Sequence, residues 1–174
     1  AVADELTIDR GAPVTRTSLD DASWVELVPA FVRDAATHMD ALQREVPWQA
    51  TEVLRYDRYV PERRLSAGLR GDGLTLTRQI GLHLQSRYRV AWTGVAAILY
   101  RDGEDFQGFH GDRELRWLDD TLIAIVVLGA RRPFVLRPRG ARVPVERVPA
   151  GRDPNDIDIA PGEGDLLVMG GAAQ

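Results

Sequence analysis

Hydrophobic and polar positions follow several distinct patterns along this chain, and each predicts a different kind of element. Residues 121–128, Thr-Leu-Ile-Ala-Ile-Val-Val-Leu, are β-branched and almost wholly apolar, the composition of a strand covered on both faces. Shorter apolar runs at 95–99 and 165–169 predict two further strands. At helical spacing, Phe31, Ala35, Met39, Leu42 and Val46 form a stripe that predicts a helix closed by Pro47-Trp48; Leu76, Ile80, Leu84 and Tyr88 predict a second helix over 75–89. Upstream, Asp20, Asp21 and Ser23 are cap residues ahead of Trp24-Val25-Glu26-Leu27, which predicts a helical turn there, and Pro29 is placed to open the next helical segment. Residues 52–60 alternate as a strand or hairpin arm before a glycine-rich turn at 70–73, and one short strand is expected near 6–8. Short strands are expected at 133–137 and 143–148 around a turn at 138–140, and residues 149–164, rich in Pro, Gly, Asp and Asn, read as a surface loop. Helices first, then many short strands with Gly/Pro turns, make an α+β domain with two sheets facing each other.

Chemistry-bearing side chains concentrate between the 95–99 run and the 121–128 strand, in Tyr100-Arg-Asp-Gly-Glu-Asp-Phe-Gln-Gly-Phe-His110-Gly-Asp112. Arg-Asp-Gly is a turn and 106–110 resumes an extended pattern, which delivers Tyr100, His110 and Asp112 to one region. His110 and Asp112 stand two apart, so on a strand they share a face; an imidazole and a carboxylate are two of the three ligands of a non-haem Fe(II) facial triad. The pair alone leaves two readings open, since His-x-Asp also occurs by chance in ordinary solvated turns. His38 and His83 sit beside helical stripes and read as ordinary helix residues. Asp153, Asp156 and Asp158 lack the spacing of a calcium loop and read as solvated loop carboxylates.

Composition narrows the chemistry. There is no cysteine, which excludes disulfides and thiolate metal sites and leaves nitrogen and oxygen ligands. All 22 basic residues are arginine, and the net charge of −4 argues against a general polyanion binder. Local basic faces are expected around Arg55, Arg58, Arg63, Arg64 and Arg70, and around Arg131, Arg132, Arg137, Arg139 and Arg142, unless the abundant Asp and Glu neutralise them. No apolar run reaches the length of a membrane span and the first residues lack the pattern of a secretory signal, so the expected location is cytoplasmic, with no membrane partner.

The segment around His110 resembles the AlkB-like 2-oxoglutarate/Fe(II) dioxygenases. Their sequence runs from a strand through Leu-Tyr-Arg, a short turn and an aromatic residue to His-x-Asp-x-Glu or His-x-Asp-x-Asp; here that is Leu99-Tyr100-Arg101, then Phe109-His110-Gly111-Asp112-Arg113-Glu114. Arg64-Leu65-Ser66-Ala67, Gly129-Ala130-Arg131-Arg132-Pro133-Phe134 and Gly164-Asp165-Leu166-Leu167-Val168-Met169-Gly170-Gly171 fit in the same order, so the resemblance covers most of 48–174. It implies a single domain over 1–174, with helices and a nucleotide-recognition lid over about 1–90 and a double-stranded β-helix, or jelly roll, over 91–174. It further implies Fe(II)/2-oxoglutarate-dependent oxidative demethylation of N-alkylated nucleobases in DNA or RNA, single strands favoured. His110 and Asp112 would hold Fe(II), Tyr100 would bind a 2-oxoglutarate carboxylate, and Arg64, Glu114 and Arg132 would lie near the substrate.

Two departures bear on these roles. Ile98 stands where the family commonly has Asn, and Gly68-Leu69 follows Ser66-Ala67 where lid aromatics are common. The family's second metal-binding histidine and its 2-oxoglutarate arginine correspond to positions after Gln174. The resemblance therefore implies a C-terminal segment that adds the last strands and completes the site. Competing expectations are the same fold acting on a protein or small molecule, and a non-catalytic barrel that binds a partner.

Overall fold

The computed structural model describes residues 7–55, 57–69, 75–112, 118, 120–138 and 153–173. The chain is a mixed α+β protein whose sheets are antiparallel, and it divides into two compact units, Asp9–Met39 with Phe109–Gln174 and Ala1–Ile8 with Asp40–Gly108. No described helix is long and apolar enough to cross a membrane.

The first of these units is built on a four-stranded sheet. Strands β1 (Thr15–Ser18), β2 (Ser23–Val28), β9 (Leu166–Gly171) and β6 (Thr121–Val126) lie in the order β1-β2-β9-β6. Strand β9 sits centrally because its continuous apolar run suits a position flanked on both sides, and Leu166, Leu167 and Val168 are fully buried there. Val25, Leu167 and Met169 form the core cluster, with Ile123, Ile125 and Phe134 packed against it. Strand β6 carries the stronger β composition yet is only half-buried beyond Thr121, because among the described residues it pairs with β9 alone. Its apolar run therefore overstates its coverage.

The helical turn expected at 24–27 is instead the middle of β2, paired to β9 through Trp24↔Gly170 and Leu27↔Leu167. Asp20 and Ser23 are turn residues of the β1–β2 hairpin: the Asp20 carboxylate accepts the Ala22 N–H at 2.8 Å and the Ser23 carbonyl accepts the Leu19 N–H at 2.9 Å. An N-cap and such a turn use the same carboxylate-to-backbone bond, and pairing with β9 decides between them. Gly170 has a specific reason to lack a side chain, since a Cβ there would enter the Trp24 ring. Trp24 in turn stacks under the Arg16 guanidinium, 3.8 Å from the ring centre. Residues 157–158, expected within a loop, form β8 (Ile157–Asp158) against β7 (Val135–Leu136). The strand expected at 143–148 lies outside the described residues.

The second unit holds a three-stranded sheet, β3 (Gln49–Arg55), β4 (Arg58–Leu69) and β5 (Val95–Leu99), in the order β3-β4-β5. The hairpin expected around 52–60 is β3–β4, closed by the Arg55↔Arg58 pair with Asp57 at φ 75°. Helix α2 (Thr75–Tyr88) buries Leu76, Gln79 and Leu84, close to the expected stripe. Gln79 is the polar exception, and its side-chain oxygen accepts both the Thr7 N–H at 2.9 Å and the Thr7 hydroxyl at 2.7 Å. Helix α1 (Ala35–Glu45) begins four residues after Phe31, which is buried in the preceding loop rather than on the helix. The boundary between the units falls within α1.

Candidate functional site

The segment that leaves β5 is shaped first by one carboxylate. Asp105 is 4% exposed and accepts the Arg101 backbone N–H, Nε and one terminal nitrogen of the same guanidinium, each at 2.8 Å. Asp102 closes the turn by accepting the N–H groups of Glu104 and Asp105. Arg101 is thus folded onto its own turn, and its hydrogen bond and attraction to Asp105 raise its pKa. Immediately beyond, the Phe106 N–H is donated to the Arg63 carbonyl at 3.1 Å, which ties this segment to β4.

Phe106 to Asp112 forms no regular strand, so the common strand face expected for His110 and Asp112 is replaced by an irregular loop. Their side chains still converge: His110 Nε2 lies 3.5 Å from Asp112 Oδ1, with side-chain exposures of 51% and 36%. Two donors bonded to one ion at about 2.1 Å and set at right angles stand about 3 Å apart, so a small turn of either side chain suits shared coordination. The donor types, one imidazole nitrogen and one carboxylate oxygen, fit a non-haem metal as two of its ligands. Among the described residues no cluster of three or more His, Asp or Glu side chains is placed to hold a metal.

A buried ion pair backs the residue before His110. Arg137 and Asp156 are joined twice, Nε to Oδ1 at 2.6 Å and the terminal nitrogen to Oδ2 at 2.8 Å, with side chains only 2% and 3% exposed. The Arg137 guanidinium also lies 4.2 Å from the centre of the Phe109 ring. Its pKa is raised, chiefly by the hydrogen bond to Asp156. Asp156 is therefore no solvated loop carboxylate, and Arg137 no part of an exposed basic face. Arg131, counted in the same expected face, is exposed and donates to the Ala160 carbonyl.

In the other unit, Tyr100 follows β5 and meets Arg64 of β4, whose terminal nitrogen donates to the tyrosine oxygen at 3.4 Å. A second Arg64 nitrogen donates to Glu62 at 3.1 Å, and Glu62 also accepts from the Thr51 hydroxyl. Burial pulls the Arg64 pKa down, but the bond and charge of Tyr100, then Glu62, outweigh it and leave it raised. Arg64 Nε is buried without a hydrogen-bond partner. Of the other expected site residues, Arg132 is half-buried after β6, and Glu114 lies outside the described residues. Asp105, Arg137 and Asp156 were not singled out for the site, and the only sequence signal for them is a carboxylate four residues after Arg101. No family model matches this chain, and no curated protein matches it.

Proposed function

We propose that this chain carries the iron-binding part of an Fe(II)/2-oxoglutarate-dependent dioxygenase of the AlkB-like type, acting on N-alkylated nucleobases in single-stranded DNA or RNA. The observation that carries this reading is the convergence of His110 Nε2 and Asp112 Oδ1 to 3.5 Å on an open, irregular loop. The ordered segments Arg64-Leu65-Ser66-Ala67, Leu99-Tyr100-Arg101 and Gly164–Gly171 add support, as does the antiparallel order β1-β2-β9-β6, which suits one sheet of a jelly roll.

His110 would offer the lone pair of Nε2 to the metal. Asp112 contributes the negative charge that offsets a divalent cation. When bound, Fe(II) with 2-oxoglutarate and O₂ supplies the oxidation: 2-oxoglutarate becomes succinate and CO₂, one oxygen atom enters an N-alkyl C–H bond, and the resulting hemiaminal releases formaldehyde. Tyr100 binds a 2-oxoglutarate carboxylate through its hydroxyl, which Arg64 holds by donating to it. Arg132 and Glu114 serve as substrate contacts.

The test is succinate release from 2-oxoglutarate with Fe(II) and a methylated single-stranded oligonucleotide. It compares residues 1–174, a C-terminally extended chain, and the extended chain carrying H110A. Turnover by the extended chain alone is expected. Turnover that survives H110A, or an inactive extended chain, overturns the reading.

A further inference from the structure

Phe106 is an aromatic side chain 59% exposed to water, but its backbone is pinned. It follows directly on buried Asp105, and its N–H is bonded to the Arg63 carbonyl. The ring is thus presented by a fixed segment rather than by a loose one. Beside it stands a cation: the Arg63 guanidinium lies 6.0 Å from the ring centre with its side chain 62% exposed. Its acidic neighbour Glu104 is 87% exposed and 3.9 Å away, a contact that water and salt screen strongly. Glu62 turns its carboxylate instead to Arg64 and Thr51.

Between ring and cation the surface is concave, lined by Pro61, Glu62, Arg63, Phe106, Gln107 and Gly108. Among the described residues nothing stands within 4 Å of where a Gly108 side chain would begin. Along β4, Tyr59 is 68% exposed, and exposed positions alternate from it through Pro61 to Arg63. Arg58 adds a second exposed cation next to Tyr59. Exposed aromatic rings interleaved with arginines suit single-stranded nucleic acid, because every base offers a face to stack and every nucleotide a phosphate to pair.

We propose that β4 and the loop at Phe106 form a stacking site for single-stranded nucleic acid, in which Phe106 takes a base, Arg63 a phosphate, and Tyr59 a neighbouring base. The site rests on the nucleic-acid substrate proposed above, and supplies an aromatic platform in place of the one absent after Ala67. It includes neither His110 nor Asp112 and needs no metal.

The test is fluorescence anisotropy of a labelled oligothymidylate single strand, without iron, on the wild type, F106A, F106W, R63A and H110A. F106A is expected to weaken binding about tenfold and F106W to keep it, which separates stacking from a folding defect. R63A is expected to weaken binding and to reduce the slope of log affinity against log salt by about 0.7, the loss of one phosphate contact. H110A keeps the affinity, and in the extended chain it loses succinate release. Binding that F106A and R63A both leave unchanged overturns the stacking site and leaves the iron reading standing. An extended chain that releases succinate but binds no strand overturns the site and moves the substrate to a protein or small molecule. Strand binding through Phe106 with no succinate release in any extended chain keeps the site and removes the iron reading.

Discussion

Replacing Glu62 by alanine should cost this protein about as much as removing its partner Arg64, and removing both should cost less than the sum. The two side chains are 13% and 19% exposed and bonded at 3.1 Å, so truncating Glu62 leaves a mostly buried guanidinium with Tyr100 as its remaining side-chain bond. Stripping one partner from a fully buried pair costs about 3–5 kcal/mol. The residual exposure and the Tyr100 bond bring the expectation for Glu62→Ala to about 2–3 kcal/mol. Arg64→Met retains most of the volume but strands the Glu62 carboxylate, 13% exposed and bonded to the Thr51 hydroxyl, and should likewise cost about 2–3 kcal/mol. The double variant, with no stranded charge, should be more stable than Glu62→Ala alone by about 1–2 kcal/mol. Urea unfolding followed by circular dichroism measures all three, with the midpoint read at constant slope. If the two single costs add in the double variant, the coupling inferred between Arg64 and Glu62 is wrong.

Three further outcomes follow from the geometry. Gly170→Val should destabilise by about 1–3 kcal/mol, because its side chain must enter the space of the Trp24 ring; a thermal midpoint equal to wild type would refute that packing. Asp20 has a lowered pKa from the Ala22 N–H and then the Ser23 side chain, so its contribution is present above the ordinary aspartate range and lost as pH falls through the lower folded value. Urea midpoints taken below about pH 4 should therefore decline less steeply in Asp20→Ala than in wild type. Mn(II), probed by water-proton relaxation, should bind the wild type more tightly than H110A; equal binding by the two places the metal elsewhere.

Much of the framework is legible in sequence where a pattern repeats within one element. The α2 stripe and the apolar run of β9 are such cases, since Leu76 and Leu84 bury and Leu166 to Val168 are inaccessible to solvent. Strand β2 fails the same approach because its decision is non-local. Asp20 and Ser23 spell a helix cap as readily as a hairpin turn, and only pairing with β9, some 140 residues later, selects the strand. Burial of β6 fails for a related reason: composition reports that a strand tolerates full coverage, while its place at the end of the described sheet order determines how much it receives.

The donors of the candidate site are legible because His-x-Asp is written in three consecutive positions, but what shapes the loop that carries them is not. Phe106 is pinned by a carbonyl 43 residues earlier, and the Phe109 ring is backed by an arginine whose carboxylate lies 19 residues beyond it. Local composition makes Asp156 a solvated loop residue and Arg137 a surface cation, and each is wrong alone because burying one charge is tolerable only when the other is buried with it. A bidentate pair at 2–3% exposure is costly to place, which ties it to the conformation of the segment it supports. Phe109 can therefore hold a defined place without a strand ladder, because the Arg137–Asp156 pair packs beside its ring, one residue before the imidazole.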